Sequence, residues 1–358
     1  MSFETGNKIK YTVFGQSHSE AIGIVIEGFP AGYKPDMEKI TKFMSRRAPG
    51  KNTLSTARKE ADAVKILSGL NERGELCGAP LCLVINNTDT KSKDYENLRF
   101  LPRPGHSDYT AYVKYGGAND IRGGGQFSGR LTAPLCAAGA IAKDILSRQG
   151  ILIGAHISAI HDVKDIPFTS TNPDTELFSQ LEEKDFPVIS DKQGELMKAE
   201  IEKARMDKDS VGGIIECMIC GLKPGLGSDK TDSIESRISS AVFSVPAVKG
   251  IEFGSGFASA SLYGSENNDE FYFEDGTVKT RTNNHGGILG GISSGMPIIF
   301  RAAIKPTPSI AKPQRTVNLK TGAEEVLEIK GRHDPCIVQR AVPVIEACAA
   351  LVILDIAG

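Results

Sequence analysis

The sequence has no excess of charge of either sign and no uninterrupted apolar run of membrane length. Its 42 Lys and Arg residues nearly balance its 44 Asp and Glu residues, which gives a formal charge of −2. A chain so close to neutral is not expected to be a general nucleic-acid or membrane-surface binder, although a local basic pocket is compatible with it. The most apolar late stretch, AVPVIEACAALVILDIAG, is interrupted by Glu346 and is too short to span a bilayer.

Several other signals are missing. The start, MSFETGNKIKYTVFG, has no apolar segment of the secretory type, so we expect a cytoplasmic protein. No H-E-x-x-H, acidic cage or Cys/His cluster occurs, which predicts no metal held by the protein. The glycine-rich signatures of P-loop and dinucleotide-binding proteins are absent as well, so nucleotide binding of those kinds is not supported.

Cysteine is sparse, with 7 residues scattered through apolar contexts. An odd count in such contexts favours reduced core thiols over disulfides. Cys217 and Cys220 form a C-x-x-C in GIIECMICGL, which could be a redox or zinc pair. The run reads as a strand, in which residues three apart point to opposite faces, and no second pair follows. Core thiols are therefore the favoured interpretation.

The 358 residues contain no clear repeat or linker, so we expect one domain over 1–358. Asp36 is placed to cap a helix that carries Ile40, Phe43 and Met44. A buried helix is predicted at 131–149, because that segment is apolar on most sides. Strand pairs alternating with apolar helices favour an α+β fold, with helices packed against antiparallel sheets, over a doubly wound fold. The predicted strands are 11–15, 22–32, ADAVKILSGL, APLCLVINNTD, ILIGAHISAIHDV, SVGGIIECMICGL, GIEFGSGFA and MPIIFRAAIKP, and NNHGGILGG is predicted as a loop.

The chemistry concentrates in glycine-flanked loops. GQSHSEA places His18 in a turn between two strands, where it could donate a proton to an anionic leaving group or could simply be a solvated or capping histidine. The segment 103–130 joins Arg103, His106, Arg122 and Arg130 with several glycines ahead of a predicted helix. Backbone N–H groups, guanidinium groups and a helix N-terminus together favour an anion, although the glycines could be purely structural.

Three more segments are basic or resemble catalytic motifs. SRRAPGKN, KPTPSI and KGRHDP add cations, and Asp334 in the last is a candidate base or a turn residue before proline. GISSG matches the nucleophile elbow of serine hydrolases around Ser293. That motif needs an apolar strand before it and a helix after it, and neither flank fits, so the match is interpreted as accidental.

These blocks, in this order, resemble the chorismate synthase family from Phe14 nearly to the C-terminus. The matching stretches are FGQSHSEAIGIVIEGFPAG, RRAPG, RKEADAVKILSG, NTDTKSKDY, RPGHSDYT, KYGG, IRGGG, AVKGIEFGSGF, NNHGGILGGISSGMPI, KPTPSI and GRHDPCIVQRAVPVIEA. The resemblance implies a sandwich of central helices between antiparallel sheets, assembled as a homotetramer. It also implies elimination of phosphate from 5-enolpyruvylshikimate 3-phosphate (EPSP) to give chorismate, with reduced FMN required but no net redox change.

The resemblance assigns roles to individual residues. His18 resembles the acid for the departing phosphate, His106 the histidine beside the reduced flavin, and Asp334 the carboxylate that helps remove the C6 proton. The substrate-contact candidates are Ser17, Arg46, Arg47, Arg103, Arg130 and Arg340. The cofactor-contact candidates are Arg47, Gln126, Phe127, Ser128, Pro246, Ala247, Gly290, Lys305, Pro306, Thr307, Pro308, Ser309 and Arg332.

The sequence departs from the family pattern at Gln126-Phe127, where Arg-Ser is usual, at Pro246, where Asn is usual, and at Thr53, where Arg is frequent. We expect weaker binding of the flavin, with Phe127 packed either on the flavin ring or in the core. Thr53 favours dependence on externally reduced FMN, with NADPH only a source of reducing equivalents and a flavin reductase as partner. The alternatives are a flavin- or phosphate-binding protein that has lost catalysis and a serine hydrolase built on Ser293.

Overall fold

The computed structural model describes residues 4–48, 62–88, 98–329 and 334–358. Within these ranges, one five-stranded antiparallel sheet comes from the first quarter of the chain, in the order β1-β2-β3-β5-β4. Ile22, Ile24 and Ile26 alternate along its central strand and are buried, as a one-sided sheet requires. The strands are β1 (Glu4–Thr5), β2 (Lys10–Gly15), β3 (Ala21–Glu27), β4 (Val64–Ser68) and β5 (Leu81–Asn86).

A second five-stranded antiparallel sheet has the order β7-β6-β8-β14-β9. Three antiparallel hairpins, β10–β11, β12–β13 and β15–β16, accompany it in the described residues. The strands are β6 (Leu152–Ile160), β7 (Val163–Lys164), β8 (Gly213–Cys220), β9 (Val248–Phe253), β10 (Phe271–Glu274), β11 (Thr277–Thr280), β12 (Ile288–Leu289), β13 (Ile292–Ser293), β14 (Ile298–Ile304), β15 (Gln314–Val317) and β16 (Glu324–Leu327).

A layer of helices lies between the two sheets. α3 packs on β3 and β5 of the first sheet, α8 packs on β6 and β8 of the second, and the two helices pack on each other. The methyl group of an alanine at Gly139 would lie only 2.2 Å from Ala347 Cβ, so small residues permit this close approach. The helices are α1 (Met37–Arg47), α2 (Asp108–Tyr115), α3 (Thr132–Ser147), α4 (Glu176–Glu183), α5 (Asp191–Met206), α6 (Ile234–Phe243), α7 (Gly264–Asn267) and α8 (Val338–Ala357).

The predicted architecture, central helices between antiparallel sheets, is confirmed. The α1 prediction holds in detail, because the Asp36 carboxylate accepts hydrogen bonds from the N–H groups of Glu38 and Lys39 at 3.0 and 3.1 Å. Cys217 and Cys220 are free thiols buried in different apolar clusters, on the two faces of β8. None of the described helices is long and apolar enough to cross a membrane.

Two predictions need correction. The NNHGGILGG segment is not all loop, because β12 and β13 form a short hairpin there. The strand predicted through GIEFGSGFA ends at Phe253, and a 3-10 helix begins at Gly256. Gly254 and Gly256 both have positive φ angles of 55° and 56°, which turn the chain out of the sheet.

Candidate active site

Three consecutive glycines lie between the two candidate histidines. Gly123, Gly124 and Gly125 have φ angles of 59°, 86° and 54°, in the left-handed region that glycine adopts without strain. A methyl carbon on Gly123 would lie 2.4 Å from Ser17 Oγ and 2.8 Å from His18 Nε2. One on Gly124 would lie 3.2 Å from His106 Nε2. The missing side chains therefore allow both histidines to approach one loop.

The turn that carries His18 is tied to this loop by its backbone. Ser17 N–H donates to Gly125 O at 3.1 Å. Ser17 is 1% exposed, and its Oγ has no hydrogen-bond partner among the described residues. A buried hydroxyl without a partner costs free energy, so it is suited to receive a polar ligand atom.

A buried cluster of arginines surrounds Asp62. Arg47 Nη1, from the last turn of α1, lies 2.5 Å from Asp62 Oδ2, and Arg130 Nη1 contacts the other carboxylate oxygen. Burial alone would raise the pKa of Asp62, but the charges of Arg47 and Arg130 lower it below its usual range. Asp62 is therefore ionised and holds the two guanidinium groups side by side.

Arg340 and Asp334 join the same cluster from the start of α8. Arg340 Nη1 donates to Asp334 Oδ2 at 2.8 Å, and Arg340 Nε donates to the carbonyl of Arg47 at 3.0 Å. Burial, together with the charges of Arg47 and Arg130, lowers the pKa of Arg340, with Asp334 and Asp62 opposing the shift. The candidate base thus lies beside Arg340, which links it to Arg47.

A second ion-pair group forms around Arg103. Its Nε lies 2.7 Å from Asp108 Oδ2, and its Nη1 donates to Ser309 Oγ at 3.1 Å. The other Asp108 oxygen lies 2.6 Å from His106 Nδ1. Burial lowers the pKa of His106, while its hydrogen bond to Asp108 opposes that shift.

The 305–309 segment meets this second group. Lys305 Nζ contacts the carbonyl of Gly105, and Lys305 N–H donates to Ala247 O at 2.9 Å. Burial lowers the pKa of Lys305. Thr307 Oγ1 is buried without a hydrogen-bond partner in the described structure. The candidate cofactor residues in this region are Pro246, Ala247, Lys305, Pro306, Thr307, Pro308 and Ser309.

Other candidates lie at the edge of the site or apart from it. Gln126 Nε2 donates to the Tyr115 hydroxyl at 3.0 Å, Ser128 Oγ accepts from Arg130 N–H at 3.3 Å, and Phe127 is 37% exposed. Phe127 therefore does not turn into the core. Gly290 lies at the turn of the β12–β13 hairpin, which packs on residues 227–234.

Arg46 points away from the arginine cluster. Its guanidinium forms two hydrogen bonds with Glu346, at 2.9 and 2.6 Å, and Glu346 also binds Lys143 Nζ at 2.5 Å. This group lies between α1, α3 and α8 and gives Arg46 a structural partner. Arg332 and Thr53 lie outside the described residues.

The assembled groups carry surplus positive charge. Among the residues that the structure describes, the cations of the site outnumber its carboxylates: Arg47, Arg103, Arg130, Arg340 and Lys305 lie with Asp62, Asp108 and Asp334. Such a site suits a ligand with several anionic groups. No group of three or more His, Cys, Asp or Glu side chains able to hold a metal ion occurs in the part of the chain that the structure describes.

Sequence reasoning missed three polar residues of this site, Asp62, Asp108 and Asn87. Asn87 accepts from Arg130 Nε at 3.0 Å and donates to the carbonyls of Gln16 and Ser19 at 3.2 and 2.8 Å, so it joins the arginine cluster to the His18 turn. Asp108 could have been found from its position two residues after His106. Asp62 and Asn87 gave no such signal, because only the fold brings them to Arg130.

The Ser293 alternative fails on geometry. Ser293 is 3% exposed, and its Oγ donates to Lys223 O at 2.6 Å and accepts from Leu226 N–H at 2.9 Å. Its hydroxyl is thus committed to the backbone of a turn. The adjacent Ser294 Oγ lies 2.9 Å from His285 Nε2 and also accepts from Met296 N–H at 3.3 Å, which fixes this loop.

Known proteins similar to this chain are chorismate synthases. The family model for chorismate synthase matches residues 9–357. A chorismate synthase from Methanocella arvoryzae is 47% identical over 350 residues, covering 98% of this chain and 92% of the relative. Another from Pyrococcus abyssi is 47% identical over 353 residues, covering 98% and 96%. A solved crystal structure of chorismate synthase superposes with a TM-score of 0.78 at 28% identity, covering 98% of this chain and 92% of that one. The chain belongs to the chorismate synthase family.

Proposed function

We propose that this chain converts EPSP to chorismate by 1,4-anti elimination of phosphate, the last common step of aromatic amino acid biosynthesis, and that it uses reduced FMN. The observation that carries the proposal is the meeting of two histidines at one glycine loop, together with buried arginines that pair with Asp62, Asp108 and Asp334. Family membership supports the activity. The residue roles below are those that the family resemblance implies, and the geometry of this chain is cited where it supports them.

The anionic groups of EPSP match the arginine surplus. The substrate carries one phosphate and two carboxylates, and guanidinium groups bind both kinds of anion in two-point geometry. Arg47, Arg130 and Arg340 form one group of cations, and Arg103 with Lys305 forms a second. We assign EPSP to the space bordered by these two groups, with the unpartnered Ser17 hydroxyl as a further donor.

His18 is assigned as the acid for the leaving phosphate. It is 8% exposed and lies against Gly123, next to Ser17. As the C3–O bond breaks, the phosphate oxygen gains charge, and an imidazolium proton placed there neutralises it. A glycine at position 123 is what lets the ring reach the loop.

The residues near 247 and 305–309 fit a flavin phosphate and ring. The fit rests on the buried Thr307 hydroxyl without a partner and on the adjacent Lys305 ammonium. Reduced FMN, when bound, would supply an electron-rich ring beside the breaking C–O bond and would undergo no net oxidation. We assign His106 as the histidine that would protonate the reduced flavin. Its Nε2 atom faces Gly124.

Asp334 is assigned as the base that accepts the C6 proton of EPSP. The C6–H bond breaks and its electron pair forms a C1–C6 double bond, the existing C1–C2 double bond shifts to C2–C3, and the C3–O bond breaks to release phosphate. The proton leaves toward the Asp334 carboxylate, so atoms and charge balance. Arg340 orients the carboxylate by a 2.8 Å hydrogen bond. Arg46 we assign to the structural cluster with Glu346 rather than to substrate.

We further propose that the enzyme is monofunctional, takes externally reduced FMN and works as a cytoplasmic homotetramer. Thr53, in place of the arginine frequent in the family, supports the dependence on an external flavin reductase. NADPH would then act only as the source of electrons for that reductase.

Replacement of each assigned residue tests the proposal. We expect His18→Ala, His106→Ala and Asp334→Asn each to lower turnover by roughly 10-fold or more, because each removes a proton donor or acceptor. The assay follows chorismate absorbance with photoreduced FMN under anaerobic conditions. His161→Asn, in the exposed β6–β7 turn, is the matched control and keeps full turnover. Near-normal turnover in any of the three variants would remove that residue from the mechanism.

A further inference from the structure

We propose that Asp108 is a positioning residue that fixes the tautomer and orientation of His106, so that the Nε2 atom of the ring faces the Gly123–Gly125 loop as the exchanging nitrogen. Asp108 lies within the RPGHSDYT stretch, but no role is assigned to it above. The catalytic consequence, though not the geometry, rests on the function proposed above.

The Asp108 carboxylate is held on both of its oxygens. Oδ2 accepts from Arg103 Nε at 2.7 Å and from Arg103 N–H at 3.0 Å, and Oδ1 accepts from Arg103 Nη2 at 2.9 Å. The side chain is 10% exposed and stands in the first turn of α2. These contacts fix the position of Oδ1, which lies 2.6 Å from His106 Nδ1.

The protonation state of the carboxylate decides the tautomer of the ring. Burial alone would raise the pKa of Asp108, but the hydrogen bonds with Arg103 and His106 hold it far below its usual range. An ionised carboxylate only accepts hydrogen bonds, so His106 Nδ1 carries the proton that it receives. Arg103 Nη2 lies 3.2 Å from His106 Nδ1 and 3.3 Å from Nε2. A guanidinium only donates, so it does not compete for the Nδ1 proton and is compatible with an unprotonated Nε2.

The other ring nitrogen is thereby directed at the glycine loop. A methyl carbon on Gly124 would lie 3.2 Å from His106 Nε2, so this atom faces the loop across a gap that only glycine leaves. The charged groups that act on the ring are Asp108, Arg103 and Lys305. Of these, only Asp108 favours the protonated ring, because the two cations oppose its charge.

The Asp108→Asn variant removes the control of the His106 tautomer but keeps a hydrogen bond with Arg103. The amide oxygen can still accept from Arg103 Nε, while the amide nitrogen, turned to His106, donates to Nδ1 and moves the ring proton to Nε2. Asp108→Glu keeps a carboxylate and serves as the conservative rescue. Asp144→Asn is the matched control, because Asp144 is a buried carboxylate paired with Lys39 and Arg148 at the far end of α3.

The direct test is nitrogen NMR on the full-length protein labelled with 15N-histidine, which has only 6 histidines. Loss of one signal in His106→Asn assigns the residue. We expect the neutral wild-type ring to carry its proton on Nδ1, the Asp108→Asn ring to carry it on Nε2, and Asp144→Asn to match wild type. A wild-type proton on Nε2, or an unchanged tautomer in Asp108→Asn, would overturn the proposal; the wild-type measurement stands even if the variant does not fold.

Turnover tests the consequence separately. We expect kcat of Asp108→Asn to fall roughly 10- to 100-fold with little change in KM for EPSP, and Asp108→Glu to recover part of it. We also expect the pH profile of kcat in Asp108→Asn to shift to lower pH, because the group favouring the protonated ring is gone. A changed tautomer with normal kcat would leave the positioning of His106 intact and refute its proposed part in the reaction.

Discussion

Gly123 illustrates how one absent side chain shapes this site. Its positive φ of 59° and its contact with the Ser17–His18 turn both exclude larger residues. The loop therefore offers backbone N–H groups and close access at once, which is the usual reason for glycine beside an anionic ligand.

We expect Gly123→Ala to lower kcat/KM roughly 10- to 100-fold, because the new methyl group displaces Ser17 Oγ and His18 from the loop. Stability falls by about 1–2 kcal/mol from the left-handed backbone alone. The control is Gly264→Ala, at an exposed site where a methyl carbon meets nothing within 4 Å. Steady-state kinetics and urea unfolding of the two variants check the prediction; equal kinetics would show that the close approach is dispensable.

Phe127 stands where the family resemblance predicts a serine. At 37% exposure it is available to a ligand and is not part of the core. Gln126 meanwhile is engaged by the Tyr115 hydroxyl.

We expect the double variant Gln126→Arg, Phe127→Ser to bind FMN more tightly than wild type, since it restores a cation and a hydroxyl for the phosphate or ring edge. Fluorescence titration of FMN, with Tyr115→Phe as a control for the lost Gln126 contact, measures the effect. Equal or weaker binding by the double variant would contradict the claim that Gln126 and Phe127 weaken the affinity for FMN.

At the level of residues, the sequence points to candidates only where a motif carries the signal, and their roles stay predictions. His18, Arg103 and His106 were found because histidines and arginines flanked by glycines stand out in any chain. Asp62 was not identified, because a single aspartate shows no site in the sequence. Only the fold brings Arg47 and Arg130 to it. The Arg46 role was misleading for the same reason, as its partner Glu346 is 300 residues away.

At the scale of elements, one buried carboxylate joins three helices. Glu346 on α8 is fully buried and bonds Arg46 of α1 and Lys143 of α3. Burial would raise its pKa, but the charges of Arg46 and Lys143 lower it to about 2. The site residues Arg47 and Arg340 lie on the same two helices, α1 and α8, so this cluster also positions them.

We expect Glu346→Gln to destabilise the protein by about 3 kcal/mol, because it leaves the buried Arg46 without its carboxylate and Lys143 with Glu182 alone. Glu183→Gln, which breaks the exposed pair with Lys42, should change little. Denaturant titration of both variants checks this; a loss no greater than that of the control would contradict it.

The same carboxylate predicts a pH dependence. A pKa lowered from 4.5 to about 2 contributes stability that is complete above pH 4.5 and is lost as the pH falls toward 2. Wild type should therefore lose more stability than Glu346→Gln over that window.

Element prediction depended on apolar pattern. α3 was predicted because its apolar character is continuous, and it is buried. α2 was not, since it buries only Ala111 and shows no apolar stripe. The β10–β11 and β15–β16 hairpins were missed because their strands are only four residues long and mostly exposed.

For the whole molecule, the balance of charge is the informative property. A formal charge of −2 coexists with a cationic site because the arginines are gathered in loops and helix ends at one place. This explains how a near-neutral protein can select a small polyanion without attracting polyanionic polymers in general.

The most direct test of the account is an anaerobic reaction of the purified protein with EPSP and photoreduced FMN. We expect chorismate and phosphate to appear in equal amounts, while the reduced flavin is not consumed. Replacing light with NADPH, and adding no reductase, should give neither product nor NADPH oxidation. Flavin binding without chorismate would contradict the central claim and favour a protein that keeps the pocket but has lost catalysis.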